Sequence, residues 1–325
     1  MLKDIKNMTL NRANILGVSI NSSQGEVLLK KIVDLASGEG RNNGNINSNN
    51  VETKHAPSLQ LKKNPLIVFT PNPEFIVEAW KNKEFRELLN KADINLADGI
   101  GLVWAGKLLR HEIEERVSGA DIVERLLEVG NRERWEIGII GARRGNLQEE
   151  ELLKRLREKY PNICFINLDQ NCKTQVRFGK LGTKSDLVGI LGKTERSDNQ
   201  IIRRSEFSDI SESPILRNTE FSEYSENVND IRISKFNIVF ACQGMKKQEQ
   251  WIWENKDRIN ANVFMGVGGS LDFLSGFTKR APLFIRQFGL EWFWRVLQKP
   301  SHLKRVWRAV FVFNWLVIKE RYTNG

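Results

Sequence analysis

The strongest constraint on the fold is a repeated alternation of short apolar runs and longer amphipathic segments. Runs such as 66–69, 135–140 and 263–267 have the length and apolar character of buried strands. Each is followed closely by Gly or Pro, and segments with helical spacing lie between the runs. This alternation predicts an α/β fold, a Rossmann-like and mostly parallel sheet with helices on both faces.

Two individual elements are predicted in more detail. The apolar run from Ile15 to Ile20 predicts a single short strand. The segment from Pro73 to Asn90 predicts one amphipathic helix, and its expected inner face consists of Phe75, Ile76, Ala79, Trp80 and Leu88.

Two polar segments interrupt the pattern. Residues 38–64 are rich in Gly, Asn and Ser, and residues 171–234 are dominated by polar and charged side chains. Both predict flexible insertions, although a small separate subdomain is an alternative for the second. The domain prediction is therefore a main domain over residues 1–278, with these insertions, and an appendage over residues 279–325.

The appendage is strongly basic and aromatic. The whole chain has a net charge of +10, and residues 279–321 alone hold ten Lys or Arg against two Glu. Such a segment indicates an anionic partner, which phospholipid headgroups, nucleic acid or a diphosphate would each supply. One helical stripe is expected to face a membrane surface, and it consists of Leu303, Val306, Trp307, Val310, Phe311, Val317 and Ile318.

No segment is expected to span a bilayer. The most apolar stretch, 309–318, is interrupted by Asn314, whereas a spanning helix needs about 20 residues. The first residues lack the apolar core of a signal peptide, and the three cysteines show no paired spacing. A cytoplasmic protein with reduced thiols is therefore expected.

Candidate site residues follow the predicted strands, where ligands bind in parallel sheets. Asp98 could act as a general base, or it could cap the next helix. Thr70 and Asn72 could bind a ligand or form a Pro-bracketed cap. Glycine-containing turns that could approach a nucleotide include Gly141 and the group Gly268, Gly269, Ser270 and Asp272.

Two further polar residues are candidates. Arg116 could bind a diphosphate with both arms of its guanidinium, or form a surface salt bridge with Asp121 or a Glu. Gln248 could bind a sugar hydroxyl, or lie on a solvated helix face. The segment 266–271 is an imperfect dinucleotide fingerprint because Leu271 replaces the third glycine, so an NAD-dependent oxidoreductase is a weaker alternative.

Several chemistries are disfavoured. His55, His111 and His302 are not placed for a Ser-His-Asp triad, and no cluster has zinc-ligand spacing. The chain contains no Asp-x-Asp, the pair with which many sugar transferases hold a metal. A transferase with this sequence is expected to need no metal or other cofactor, and positive groups would receive the leaving diphosphate.

The ordered motifs resemble those of the WecG/TagA/CpsF family, glycosyltransferase family 26. The matching segments are 70–75 (TPNPEF), 97–101 (ADGIG), 115–121 (ERVSGAD), 247–249 (KQE), 266–273 (GVGGSLDF), 279–282 (KRAP) and 289–292 (GLEW). The resemblance implies an inverting transferase. It would pass N-acetylmannosamine from UDP to undecaprenyl-diphosphate N-acetylglucosamine, for teichoic acid, common antigen or exopolysaccharide.

The resemblance also implies residue roles. Asp98 would be the general base, Thr70 and Asn72 would line the pocket, and Asp272 would lie by the nucleotide. Arg116 and Gln248 match further substrate-binding positions. An appendage of this kind is expected to bind the inner membrane face and close over the site, bringing Arg295 and Arg305 to the diphosphate; a homo-oligomer is possible, and no nucleic acid is expected.

This chain departs from the family pattern in two places. The loop 242–249 lacks the usual Pro and one Gly, which puts its shape in question. His302 stands where another Arg often occurs. A non-enzymatic membrane-binding or nucleic-acid-binding protein is the remaining alternative, but it leaves the motifs at Thr70 and Asp98 unexplained.

Overall fold

A computed structural model describes residues 10–38, 64–142, 146–169, 235–287, 291–298 and 303–323. The strands are β1 (Arg12–Ile15), β2 (Val18–Asn21), β3 (Leu66–Phe69), β4 (Ile94–Asn95), β5 (Glu136–Ile140), β6 (Cys164–Asn167), β7 (Phe236–Ala241) and β8 (Ala261–Gly266). The helices of the main domain are α1 (Gly25–Ala36), α2 (Pro73–Lys81), α3 (Lys83–Asn90), α4 (Ile100–Leu108), α5 (Gly119–Glu133), α6 (Asn146–Lys159), α7 (Lys247–Asn255) and α8 (Ser270–Leu274).

Strands β3 to β8 form one parallel sheet in the order β4-β3-β8-β7-β5-β6. The central strand β8 is buried along its whole length, as expected for a strand covered on both faces. The predicted Rossmann-like α/β fold is thereby confirmed. Of the two predicted insertions, residues 39–63 and 171–234 lie outside the described part of the chain.

Alternate residues of each strand enter two separate hydrophobic cores. In β8, Val263 and Met265 join one core, whereas Phe264 joins the other. Helices α1, α5 and α6 cover the first face through residues such as Leu126. The second face is covered by α2, α3, α4 and α7, by the β1–β2 hairpin, and by Phe313 of the C-terminal region.

The single strand predicted for 15–20 is wrong, because this segment contains the end of β1, the turn and most of β2 in an antiparallel hairpin. The turn residues Leu16 and Gly17 both have positive φ angles, 52° and 84°. Positive φ at both central residues is the geometry of a tight hairpin turn, and it is uncommon for leucine. The apolar run therefore concealed a reversal of chain direction.

The single helix predicted from Pro73 to Asn90 is divided. Asn82 has extended backbone geometry, so it ends α2 and, through its side chain, caps the first turn of α3. Phe75, Ile76 and Ala79 are buried as predicted. Trp80 was expected to face inward, but it is 45% exposed.

The C-terminal region consists of α9 (Leu283–Gln287), α10 (Glu291–Gln298), α11 (Leu303–Trp307), a π-helical segment (Arg308–Val312) and α12 (Phe313–Thr323). In the π-helical segment the amide of Phe313 donates to the carbonyl of Arg308, five residues earlier. The wider turn shifts the register between α11 and α12. Helix α12 packs against α2 and α4.

The single stripe predicted for the appendage is confirmed only in part. Val306 and Val317 face inward, together with Phe313 and Leu316. Leu303, Trp307, Phe311 and Ile318 of the predicted stripe are exposed as expected. Together with Trp315 and Tyr322 they form a set of exposed large apolar residues that we call the outer stripe. Within the described ranges, no helix is both long enough and apolar enough to cross a membrane.

Candidate active site

Two cavities meet near the carboxyl ends of β3 and β4. The strand-end cavity, about 340 Å³, is lined by residues that follow β3, β7 and β8. The C-terminal cavity, about 230 Å³, is lined by the amino-terminal residues of α2 and α4 and by residues of the C-terminal helices. Asn72, Asp98 and Glu291 line both cavities.

Asp98 follows the buried residues at the end of β4. Its backbone N–H donates to the carbonyl of Pro71 at 3.1 Å, which ties it to the turn after β3. The N-cap position of α4 is Gly99, one residue later than the capping alternative for Asp98 requires. The structure thus places the predicted base at the boundary of the two cavities.

The first residue of α5 approaches the same place very closely. A Cβ atom on Gly119 would lie 2.8 Å from Cγ2 of Thr70 and 3.5 Å from Oδ2 of Asp98. Only glycine leaves room for this contact without displacing Thr70. Thr70 is buried, and its hydroxyl donates to the carbonyl of Gly266 at 3.0 Å, so it also joins the ends of β3 and β8.

Asn72 caps helix α2. Its Oδ1 accepts hydrogen bonds from the backbone N–H groups of Glu74 and Phe75 at 2.9 and 3.3 Å, which confirms the capping alternative. Both bonds use Oδ1, so the Nδ2 amide group is the part of this side chain that can donate to a ligand. Capping and ligand binding are therefore compatible at this position.

Gln248 is almost fully buried, so the alternative of a solvated helix face is wrong. Its Oε1 accepts the backbone N–H of Gly268 at 3.0 Å, and its Nε2 donates to Oε1 of Glu249 at 2.5 Å. These two bonds fix which end of the amide faces each partner. Burial raises the pKa of Glu249 to about 7, although its hydrogen bonds oppose that shift.

The loop before α7 has an unusual conformation in place of the family's Pro and Gly. Gly244 and Lys246 have φ angles of 83° and 71°. The strained Lys246 is held from both ends, because its N–H donates to Oε2 of Glu249 at 2.7 Å and its ammonium pairs with Glu78. Glu249 therefore orders both the loop and Gln248.

Ion pairs connect the two predicted domains at the cavities. Arg116 binds Glu291 at 3.1 Å, so its salt-bridge alternative is confirmed, with a Glu of α10 as the partner. Arg280 binds Asp121 at 2.6 Å and lies 3.8 Å from Glu291. Arg280 and Glu291 were not singled out from the sequence, although both lie inside the motifs at 279–282 and 289–292.

The remaining predicted residues are distributed unevenly. Gly268, Gly269, Ser270 and Asp272 all line the strand-end cavity. Gly141 is not among the residues that line the two cavities, and its N–H donates to Asp169 at 2.6 Å. Arg295 lies in α10 and Arg305 lies in α11, but both side chains are outside the described part of the structure, as is His302.

Cys242 also lines the strand-end cavity, and its environment argues against a nucleophilic role. Burial raises the pKa of its thiol, and the Asp272 carboxylate adds to the effect. The thiol is therefore protonated at neutral pH, whereas the nucleophile would be the thiolate. The residues that the structure describes contain no group of three His, Cys, Asp or Glu that could hold a metal ion.

A parallel sheet whose strand ends border two adjoining cavities, with a carboxylate between them, is typical of the ligand-binding site of an α/β enzyme. The model of the glycosyl transferase WecG/TagA/CpsF family matches residues 42–175 and 173–325, and the chain belongs to this family. It is a glycosyltransferase, as the motifs predicted.

Curated relatives agree with this assignment. The chain is 25% identical over 258 residues to the N-acetylglucosaminyldiphosphoundecaprenol N-acetyl-beta-D-mannosaminyltransferases of Staphylococcus aureus strains MW2 and NCTC 8325. The matched region covers 79% of this chain and 82% of each relative.

Proposed function

We propose that this protein transfers N-acetylmannosamine, or a related sugar, from a UDP-sugar to N-acetylglucosamine on a polyprenyl diphosphate. The names of the S. aureus relatives describe a transfer of N-acetylmannosamine to that kind of acceptor. A UDP donor is proposed from the family motifs. The product would enter a surface polysaccharide such as teichoic acid or exopolysaccharide.

The observation that supports this proposal most strongly is the position of Asp98, which lines both cavities. A donor in one cavity and an acceptor in the other would meet at its carboxylate. Enzymes gain much of their rate by holding two reactants together in this way. A binding protein for one ligand would need neither the second cavity nor a carboxylate between them.

The proposed donor site is the strand-end cavity. Its glycines, Gly268 and Gly269, allow a nucleotide to approach the backbone, and Gln248 is held in one orientation beside them. Arg280 lines the same cavity and supplies positive charge. The C-terminal cavity, with Arg116, is left for the diphosphate and sugar of the acceptor.

The proposed reaction is one direct displacement with inversion. Asp98 takes the proton from the acceptor hydroxyl, and that oxygen attacks the anomeric carbon on the side opposite UDP. The bond from this carbon to the diphosphate oxygen breaks, and UDP leaves with the electron pair. Arginine side chains, rather than a metal, would stabilise the developing negative charge.

We also propose that the appendage rests on the inner face of the membrane. The outer stripe exposes six large apolar residues, and basic residues such as Arg308 and Lys319 are exposed along the same helices. A stripe with aromatic residues beside basic ones suits the headgroup region of an anionic bilayer. An acceptor carried by a membrane lipid would then lie near the site.

The direct test is a donor panel with a synthetic acceptor, N-acetylglucosamine linked through a diphosphate to a prenyl chain. UDP-N-acetylmannosamine, UDP-N-acetylglucosamine and UDP-glucose are compared with and without EDTA. The proposal expects a disaccharide lipid by mass spectrometry, an inverted anomeric centre by NMR, and no loss of rate with EDTA. Liposome binding without any product would instead favour the non-enzymatic alternative.

A further inference from the structure

The C-terminal cavity is lined by two chemical kinds of residue. Asn72, Asp98 and Arg116 contribute polar and charged groups, whereas Ile100 and Val306 contribute aliphatic ones. A nucleotide sugar is polar over almost its entire surface. A lipid-linked acceptor has a charged diphosphate-sugar head and an apolar tail, so a cavity of mixed character fits the acceptor.

The apolar side of this cavity continues onto the surface of α4. Ile100, the first residue of the helix, lines the cavity and is nevertheless 46% exposed. It therefore lies where the cavity opens. Trp104 follows one helical turn later on the same side of α4, and it is 40% exposed.

The other large apolar side chains of α4 do not share this exposure. Leu102, Val103 and Ala105 are buried in the core of the main domain. Burial of the remaining apolar side chains leaves Ile100 and Trp104 as a short apolar track that starts at the cavity. Large apolar residues exposed next to a ligand cavity often mark an interaction site.

We propose that this track binds the first isoprene units of the acceptor's prenyl chain. The head of the acceptor would lie in the C-terminal cavity at Asp98, and the chain would leave past Ile100 and across Trp104. This inference rests on the proposed function. It assigns chain recognition to the catalytic domain itself, in addition to the membrane contact proposed for the appendage.

A binding experiment tests the track without any turnover. Farnesyl diphosphate is water-soluble and carries three isoprene units, so its affinity is measured by calorimetry with no membrane present, and inorganic pyrophosphate serves as the tail-free ligand. Trp104→Ala should weaken farnesyl diphosphate binding at least fivefold and leave pyrophosphate binding unchanged. An equal loss for both ligands, or no loss for either, would overturn the proposal.

The matched control is Trp80→Ala. Trp80 is 45% exposed, on helix α2, and is not among the residues lining either cavity. The control should bind both ligands as the wild-type protein does. If Trp104→Ala instead changes only the oligomeric state of the protein, measured by analytical ultracentrifugation, α4 is a contact between copies of this chain and the proposal is wrong.

A kinetic experiment separates this inference from the proposed function. Two acceptors share the same N-acetylglucosamine diphosphate head, one with a long prenyl chain and one with a methyl group. Trp104→Ala should raise KM at least fivefold for the prenyl acceptor only. Absence of transfer by the wild-type protein would refute the proposed function, whereas the calorimetric result would still decide the track.

Discussion

Two phenylalanines, two residues apart, face opposite ways in the appendage. Phe313 is fully buried in the second core, and its ring lies 3.6 Å from where a Cβ on Gly101 would be. Phe311 is 56% exposed and stacks on Trp307 at a centroid distance of 4.4 Å. The same truncation to alanine at both positions therefore isolates the effect of docking.

Phe313→Ala removes a fully buried ring, for which a loss of about 3–5 kcal/mol in the free energy of unfolding is expected. That loss corresponds to a fall of roughly 10 °C in Tm for a domain of this size. Phe311→Ala loses one exposed aromatic contact, which is worth about 1 kcal/mol or less. Urea denaturation and thermal melting measure both values directly.

In membrane binding, Phe311→Ala should have the larger effect of the two variants. Phe311→Ala should weaken flotation with anionic liposomes because it removes part of the outer stripe, while stability stays near that of the wild type. Equal stability of the two variants would refute the reasoning, since it would mean that α12 is not docked on α4 as described.

Three further substitutions test the interior of the site. Glu249→Gln removes a carboxyl whose pKa is about 7 in the folded protein, against an ordinary value of 4.5 for glutamate. The folded protein keeps this carboxyl protonated to a higher pH than the unfolded chain does. The free energy of unfolding of the wild-type protein should therefore fall by about 3 kcal/mol relative to this variant as the pH rises from 4.5 to 7, as measured by urea denaturation of both proteins at each pH. Glu291→Gln should strengthen pyrophosphate binding severalfold by calorimetry, because it releases Arg116; unchanged affinity would contradict that. Thr70→Val should cost about 1–3 kcal/mol by urea denaturation, because the Gly266 carbonyl loses its hydroxyl donor; no loss would contradict this.

The sheet could be predicted because its strands are buried on both faces. A strand such as 66–69 then appears as an uninterrupted apolar run, and its position in the sequence is sufficient to locate its carboxyl end. Because the carboxyl ends of parallel strands meet at one edge of a sheet, the sequence also predicts that Thr70, Asp98 and Gly268 lie together, and all three line the strand-end cavity. The hairpin at Leu16 was missed because an apolar run gives no sign of a turn at leucine.

The surroundings of Gln248 could not be predicted from local sequence. The segment Lys246-Lys247-Gln248-Glu249 is entirely polar and resembles a solvated helix end. Its burial depends on Gly268, twenty residues later, and on the carboxylate of the neighbouring Glu249. The pairing of Arg116 with Glu291 spans 175 positions, so no local pattern indicates it.

A uniform helical period does not predict all of the buried and exposed residues of the appendage. A uniform helix through 303–318 would place Val306 and Val317 on the side predicted for the membrane. The π-helical turn at Arg308–Val312 rotates the residues that follow it, so Val317 faces the core; Val306, which precedes the turn, is buried as well. The apolar and basic character of the segment and the outward position of Leu303, Trp307, Phe311 and Ile318 follow from the sequence, whereas the burial of Val306 and Val317 does not.

The central claim is that Asp98 is the base of a sugar transfer between the two cavities. Its most direct test is single-turnover transfer by Asp98→Asn, beside calorimetric binding of UDP. The account predicts that transfer falls at least about a hundredfold while UDP affinity and melting temperature stay at wild-type values. Transfer at a rate near that of the wild type would contradict it.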